Sequence, residues 1–332
     1  MNPFTYARAT DPQQAVAAIE ASPQAKFLGG GTNLIDLMKM GVEVPSQLID
    51  ISRLPLAQVE ELPDGKGVRI GALARNSNVA EHPLITQRYP VLSQAFLGGA
   101  SPQLRNMATV GGNLLQRTRC YYFCDPAFPQ CNKRKAGSGC GALDGFNRIH
   151  AILGQSEQCI ATNPSDMCVA LAALDAVVRV QGPKGEREIA IGDFHRLPGN
   201  TPNVDTNLQA NELIIAVDLP PMPFAVRSHY LKMRDRASYA FALVSVAVVL
   251  DVGPDGKIKD ARIALGGVAH KPWRAPEAEK ALVGKTADER SFTAAAQAAL
   301  AGAKARKHNK FKIELAKRTI IRALSTVAAM PS

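Results

Sequence analysis

The 332-residue chain is poor in aromatic residues and has no hydrophobic run long enough to span a membrane. Its longest apolar stretch, Ala240 to Leu250, is interrupted by Ser245 and falls well short of the roughly 20 residues that a transmembrane helix needs. Aromatic residues make up 5% of the sequence, and most basic residues are scattered despite a net charge of +10. The sequence therefore predicts neither nucleic-acid binding nor membrane insertion, and a more acidic partner protein would account for the charge equally well.

A secretory signal is also missing, because Met1 to Ala7 contain no basic start followed by an apolar run. We therefore expect that nothing in this chain exports it alone. Apolar residues make up 46% of the sequence, which is enough for a full core divided between two or three domains.

The sequence predicts an α+β fold in two parts. Helix and strand signals alternate from the N-terminus to residue 115, and a hairpin and a strand after the cysteine-rich segment complete a first domain at residues 1–222. The stiff run Pro220-Pro221-Met222-Pro223 marks the predicted boundary. Beyond it, long strands, one of them Tyr239 to Leu250, precede three helices. This order predicts a small domain of antiparallel sheet and helices at residues 223–332.

Five of the six cysteines fall within one Gly- and Arg-rich segment of forty residues. Their spacing, C-x3-C-x6-C-x8-C-x18-C, lacks the C-x2-C pairs typical of structural zinc sites, and five clustered thiols cannot all pair as disulfides. An iron–sulfur cluster fits better, because four thiolates around a [4Fe–4S] core are net negative and basic residues outnumber acidic ones here. Zinc and disulfides are the alternatives. The basic residues are Arg117, Arg119, Lys133, Arg134, Lys135 and Arg148.

Two glycine turns indicate phosphate binding. In the first, Gly29-Gly30-Gly31 separates a strand from a helix opened by Thr32 and Asn33, so that free backbone N–H groups and the positive helix end point at one place. The second turn is Ala108-Thr109-Val110-Gly111-Gly112-Asn113. Neither is a G-x-G-x-x-G motif or a P-loop, and a glycine turn is often purely structural. Two such turns gripping one diphosphate from two sides nevertheless favour a dinucleotide such as FAD.

Two charged residues further along the chain are candidates for the same site. Asp166 follows Asn163-Pro164-Ser165 at a loop-to-helix junction, where it is either an N-cap or an acceptor for ribose or flavin groups. Lys232, in a predicted strand, is either solvated or a cation that meets the flavin or a phosphate. The sequence leaves both alternatives open.

Taken together, these elements resemble the FAD-binding medium subunit of the molybdenum hydroxylases, the xanthine dehydrogenase family, over essentially the whole chain. The resemblance implies a two-subdomain FAD-binding domain of the PCMH type with a [4Fe–4S] loop inserted at residues 117–160, followed by a C-terminal CO-dehydrogenase-flavoprotein-like domain. The residues implied to bind FAD are Lys26, Phe27, Leu28, Gly29, Gly30, Gly31, Thr32, Asn33, Leu34, Thr109, Gly112, Asn113, Asp166 and Lys232. The implied cluster ligands are Cys120, Cys131, Cys140 and Cys159, whereas Cys124 and Cys168 lie outside the pattern and Cys124 is a possible substitute ligand.

The resemblance further implies an electron-transfer subunit of a molybdenum-containing aldehyde oxidoreductase, with no catalytic acid or base of its own. A large molybdenum-cofactor subunit would oxidise the aldehyde, a small subunit with two [2Fe–2S] clusters would relay the electrons, and FAD on this chain would pass them to an external acceptor. The alternatives are a reductive relative acting on aromatic acyl-CoA thioesters and a metal-stapled scaffold. The resemblance points to the periplasm through co-export with a partner, whereas the missing signal fits the cytoplasm.

Overall fold

The N-terminal part of the fold is a small parallel sheet with strand order β1-β3-β2. A computed structural model describes residues 1–63 and 65–331. Helix α1 crosses from β1 to β2, and the Asp11 side chain caps it by accepting from the Gln14 backbone N–H at 2.7 Å. The elements are β1 (Thr5–Arg8), α1 (Pro12–Ala21), β2 (Ala25–Leu28) and β3 (Gln47–Asp50).

A five-stranded antiparallel sheet forms the second layer, in the order β4-β5-β8-β6-β7. Alternate residues of β6, including Val178 and Val180, are buried, as a strand with one face on the core requires. The strands are β4 (Val59–Glu61), β5 (Val68–Gly71), β6 (Val177–Gly182), β7 (Gly185–Ala190) and β8 (Leu213–Leu219).

Short helices surround these two sheets. Prolines at the first positions of three of them fix the backbone at the helix start, and Pro83 and Pro90 divide one apolar stretch into separate helices. The helices are α2 (Leu34–Lys39), α3 (Asn76–Glu81), α4 (Pro83–Arg88), α5 (Pro90–Gly98), α6 (Pro102–Arg105), α7 (Val110–Leu114), α8 (Tyr121–Cys124), α9 (Asp166–Ala173) and α10 (Ile191–Phe194).

The C-terminal part is a four-stranded antiparallel sheet, ordered β12-β11-β10-β9, with three helices on it. The predicted strand Tyr239 to Leu250 is too long at its start: β10 begins at Val244, and Tyr239 adopts a left-handed φ of 51°, which a strand does not allow. After a 3₁₀ turn at Pro223–Val226, the elements are β9 (Ser228–Met233), β10 (Val244–Val252), β11 (Ile258–Gly266), β12 (Trp273–Arg274), α11 (Pro276–Leu282), α12 (Glu289–Ala299) and α13 (Phe311–Ala328).

The predicted α+β class and the antiparallel C-terminal sheet are confirmed. Strand β10 joins the two parts, because Ala247 and Val249 belong to the core of the larger sheet and Val246 and Val248 to the core under the C-terminal helices. Among residues 1–63 and 65–331, no helix is long and apolar enough to cross a membrane.

Candidate functional site

The first glycine turn presents a row of unpaired backbone donors. Strand β2 ends at Leu28, Gly31 takes a left-handed φ of 74°, and α2 starts three residues later. Within the described ranges, the backbone N–H groups of Gly30, Gly31, Thr32 and Asn33 donate to no other residue. Such a row of N–H groups next to a helix start is suited to an anion.

The second glycine turn has fewer free backbone donors than the first. The N–H groups of Val110 and Gly111 donate to carbonyls of the preceding strand region, and that of Gly112 donates to the Thr109 hydroxyl at 3.2 Å. Among the described residues, only the Thr109 N–H group of this turn has no acceptor. The first turn therefore supplies most of the free donors, and the second turn supplies a wall.

The two turns touch each other, and this contact explains the glycines. A Cβ atom on Gly30 would overlap the Met107 carbonyl oxygen, and one on Gly29 would lie 3.2 Å from the Thr109 hydroxyl oxygen. The Arg75 guanidinium also donates to the Met107 carbonyl, which fixes that oxygen against the first turn. Glycine is thus required here for the close packing of backbone on backbone.

Two cavities meet at the first glycine turn, with volumes of about 530 and 810 Å³. Gly31, Thr32, Asn33 and Gly112 line both of them. The Asn33 amide nitrogen is buried and lacks a partner among the described residues, whereas its oxygen accepts the Arg117 backbone N–H at 3.2 Å. An unsatisfied buried donor between two cavities indicates a polar ligand that runs from one to the other.

All fourteen residues implied to bind FAD lie on these walls. The smaller cavity is bordered by Lys26, Phe27, Leu28, Gly29, Gly30, Gly31, Thr32, Asn33, Leu34, Thr109 and Gly112. The larger one is bordered by Asn113, Asp166 and Lys232 in addition to the shared residues. The chain thus brings residues that are up to 206 positions apart in sequence to the walls of two neighbouring cavities.

A buried ion pair forms one wall of the larger cavity. The Lys232 ammonium lies 2.8 Å from one Asp166 carboxylate oxygen and also donates to the Gly98 carbonyl at 3.0 Å, while the Tyr230 hydroxyl donates to the other carboxylate oxygen at 2.6 Å. The side chains of Lys232 and Asp166 are 6% and 9% exposed. The N-cap of α9 is Ser165 rather than Asp166, and the Lys232 side chain is buried rather than solvated. The predicted contacts of both residues with FAD stay a prediction.

Sequence reasoning missed Tyr230, because a single tyrosine in a strand carries no signal of its own. Burial and the neighbouring Asp166 raise the pKa of Tyr230 well above its usual value, so this hydroxyl stays a donor to the carboxylate. Its role appears only once β9 is packed against α9.

A second charged network borders the smaller cavity. The buried Lys133 ammonium contacts the Asp205 carboxylate and lies 2.7 Å from the His270 ring nitrogen Nε2. Arg117 bridges Asp205, at 2.6 Å, and Glu43. Acidic residues from outside the cysteine segment therefore neutralise much of the positive charge of that segment. The sequence had indicated that this positive charge would balance the negative charge of a metal cluster.

The cysteine segment folds directly behind α2. Leu37 of that helix packs in one apolar cluster with the five cysteines of the segment, of which Cys120, Cys131 and Cys159 are buried. All six cysteines of the chain, at positions 120, 124, 131, 140, 159 and 168, are free thiols. The sixth, in α9, is buried in the main core, as predicted for a small core residue.

Four of these thiols are neighbours, and three of them receive backbone N–H groups. Cys131 and Cys140 face each other across a short β-bridge, and the Cys140 thiol is hydrogen-bonded to Cys159. Backbone N–H groups point at Cys120, Cys140 and Cys159, and the Ala161 N–H lies 3.4 Å from the Cys159 sulfur. Clustered thiols with amide donors are the ligand set that iron–sulfur clusters take.

The pKa values of these thiols differ. Burial raises the pKa of Cys120 to about 12, whereas the hydrogen bond with Cys159 lowers the pKa of Cys140 to about 6. The same hydrogen bond, with burial, raises the pKa of Cys159 well above its usual value. No group of three or more His, Cys, Asp or Glu side chains is arranged to hold a metal ion in the part of the chain that the structure describes. The predicted ligand set Cys120, Cys131, Cys140 and Cys159 thus stays a prediction.

Comparison with known proteins agrees with this geometry. Residues 2–222 match the FAD binding domain in molybdopterin dehydrogenase, and residues 228–327 match the CO dehydrogenase flavoprotein C-terminal domain. The chain is 51% identical over 330 residues to the aldehyde oxidoreductase FAD-binding subunit PaoB of Escherichia coli (strain K12), with 99% of both chains covered. It is 30% identical to the glyceraldehyde dehydrogenase medium chain of Sulfolobus acidocaldarius, over 85% of this chain and 82% of that relative.

Solved structures show the same fold. The match to reconstituted CO dehydrogenase from Oligotropha carboxidovorans has a TM-score of 0.78 at 25% identity and covers 100% of both chains. The CO dehydrogenase from Hydrogenophaga pseudoflava that lacks the Mo-pyranopterin moiety matches with a TM-score of 0.76 at 27% identity, over 99% of this chain and 98% of that one. The predicted family is confirmed: the chain belongs to the FAD-binding medium subunits of the molybdenum hydroxylases, a family of oxidoreductases.

Proposed function

We propose that this chain is the FAD- and [4Fe–4S]-binding electron-transfer subunit of a molybdenum-containing aldehyde oxidoreductase. The observation that carries the proposal is the pair of cavities that meet at the unpaired N–H groups of Gly30 to Asn33. The 51% identity to a subunit named for FAD binding and aldehyde oxidation supports the choice of cofactor and substrate class. The chain's task is then to bind FAD, set its reduction potential and hold it near its redox partners.

The first glycine turn would hold the FAD pyrophosphate. Its four free N–H groups and the Asn33 amide nitrogen are donors without protein acceptors among the described residues, and a diphosphate offers acceptors for all of them. The adenosine end would lie in the smaller cavity, against apolar side chains such as Ile51, Leu73 and Leu213. The ribityl chain and ring would lie in the larger cavity.

The buried Asp166–Lys232 pair would tune the flavin end. An ammonium has three N–H donors, and two of those of Lys232 are used by Asp166 and Gly98, so one is left for a group in the larger cavity. Bound FAD supplies one- and two-electron transfer. A fixed cation beside it favours flavin states with more negative charge, whereas the partner carboxylate limits that effect.

The cysteine segment would hold the [4Fe–4S] cluster through Cys120, Cys131, Cys140 and Cys159. Two features support this set: the four thiols share one buried neighbourhood, and backbone N–H groups already point at three of them. Cys124 is half-buried and its sulfur lies 3.8 Å from the Thr118 carbonyl oxygen, so it is oriented toward the backbone. We therefore prefer Cys120 to Cys124 as the first ligand.

Partners and location belong to the same proposal. We infer a large molybdenum-cofactor subunit, a small subunit with two [2Fe–2S] clusters and an external electron acceptor, because the 51% identical relative is named as the FAD-binding subunit of an aldehyde oxidoreductase. We further propose periplasmic location by co-export, with the cytoplasm as the alternative. The proposed division into residues 1–222 and 223–332 follows the proline run between the two sheets.

Cofactor and turnover assays on the purified complex test the proposal. FAD at one per copy of this chain, with turnover of aldehydes and no reduction of aromatic acyl-CoA thioesters, is the expected result. Turnover of the thioesters alone would favour the reductive relative. A complex that carries neither FAD nor iron on this chain would leave a scaffold role as the remaining hypothesis.

A further inference from the structure

One buried histidine points at a predicted cluster ligand. The His150 ring is 1% exposed, and its nitrogen Nε2 lies 3.1 Å from the Cys120 sulfur. The other ring nitrogen, Nδ1, is buried and has no partner among residues 1–63 and 65–331. Neither the FAD site nor the four-cysteine ligand set accounts for this residue.

The geometry assigns the proton. A neutral imidazole carries one N–H, and a proton on Nδ1 would leave a buried donor unpaired and direct the Nε2 lone pair at sulfur. A proton on Nε2 instead makes an N–H···S hydrogen bond to Cys120. When that sulfur is a metal-bound thiolate, it can only accept, so this tautomer is the one that matches it.

The C-terminal domain fixes His150 in place. The Lys312 ammonium of α13, whose side chain is fully buried, donates to the His150 carbonyl at 2.9 Å and to the Gly267 carbonyl at 2.5 Å. The Asn309 amide donates to the His150 carbonyl at 3.3 Å and to the Ala151 carbonyl at 3.1 Å. Lys312 in the first turn of α13 and Asn309 just before this helix therefore hold the backbone from which the imidazole reaches Cys120.

We propose that His150 is a positioning residue for the [4Fe–4S] cluster, which orients the Cys120 thiolate and raises the cluster's reduction potential through its Nε2–H···S hydrogen bond. Hydrogen bonds to ligating sulfur stabilise the more negative, reduced cluster. This inference rests on the cluster of the proposed function. It adds a route by which the C-terminal helix affects the redox centre of the first domain.

A matched pair of variants tests the inference on the purified full-length chain. His150→Gln keeps an N–H donor, whereas His150→Met has a similar length and no donor. The readouts are iron per chain and the midpoint potential of the cluster from an EPR-monitored redox titration. His229→Met, at a half-buried histidine on β9, is the control and should leave the potential unchanged.

We expect a more negative potential in His150→Met and a wild-type potential in His150→Gln. Loss of iron from His150→Met with full iron in His150→Gln would also support a required N–H donor. Equal potentials in both variants, or loss of iron from both, would overturn the inference while leaving the cluster proposal intact. Absence of iron from the wild-type protein would overturn both.

Discussion

Substitution of a single glycine by alanine should separate the two glycine turns and weaken FAD binding. The Cβ atom of Gly30→Ala would overlap the Met107 carbonyl oxygen, which is backbone and is held by Arg75, so the turns themselves must move apart. Overpacking of this kind costs about 1–3 kcal/mol. The free protein can relax by parting the turns, whereas FAD in contact with both turns needs them together, so most of the cost falls on binding. At 1.4 kcal/mol per factor of ten, the affinity for FAD should fall about 5- to 150-fold.

Fluorescence titration of the FAD-free protein with FAD measures this change directly. Gly192→Ala is the matched control, because a Cβ atom there meets nothing within 4 Å and the glycine lies in helix α10. We expect the control to bind FAD like the wild type and to be as stable or more stable, by up to about 1 kcal/mol. If Gly30→Ala binds FAD as tightly as the control does, the packed glycine turns do not form the FAD site.

Three further changes test the site and the fold. Lys232→Met leaves the Asp166 carboxylate buried without its cation. We therefore expect the free energy of unfolding, measured in urea, to fall by about 3–5 kcal/mol and the FAD content to fall as well. Unchanged stability would contradict the buried ion pair. Asn33→Asp replaces a free amide donor by a carboxylate at the proposed pyrophosphate site. The FAD affinity measured by titration should fall about 10- to 100-fold. Tighter binding would exclude a phosphate at this position. Burial raises the pKa of Asp50, but hydrogen bonds, chiefly from Tyr6, lower it to about 2, below its unfolded value of 3.8. The Asp50 carboxylate therefore stabilises the fold above about pH 4, and this stabilisation is lost as the pH falls toward 2. The melting temperatures of Asp50→Asn and wild type should differ at pH 7 and converge near pH 2. A difference in melting temperature that stays constant with pH would refute the role of the Asp50 carboxylate.

Much of the fold could be predicted from local signals. The glycine turn before α2 and the hairpin of β6 and β7 are encoded within a few residues, and the structure agrees with them. The start of β10 could not be predicted, because residues 240–243 are as apolar as a strand and only the left-handed Tyr239 before them shows that they belong to a loop.

The sequence indicates which residues line the candidate site better than it indicates which contacts those residues make. Sequence resemblance indicated Asp166 and Lys232, but their mutual ion pair depends on packing between α9 and β9. In the second glycine turn, the N–H groups of residues 110–113 are paired with Thr109 and with the carbonyls of residues 72 and 74, which the sequence does not reveal. His150 and Tyr230 carried no signal, because their partners, Cys120 and Asp166, lie 30 and 64 positions away in sequence.

Quantitation of FAD and iron on the anaerobically purified chain, with low-temperature EPR after reduction by dithionite, shows whether this chain carries both redox cofactors. We expect one FAD and about four iron atoms per chain, with a [4Fe–4S] signal that disappears in Cys140→Ser while FAD is retained. FAD without iron in the wild-type protein would contradict the electron-transfer cluster, and iron without FAD would contradict the assignment of the two cavities.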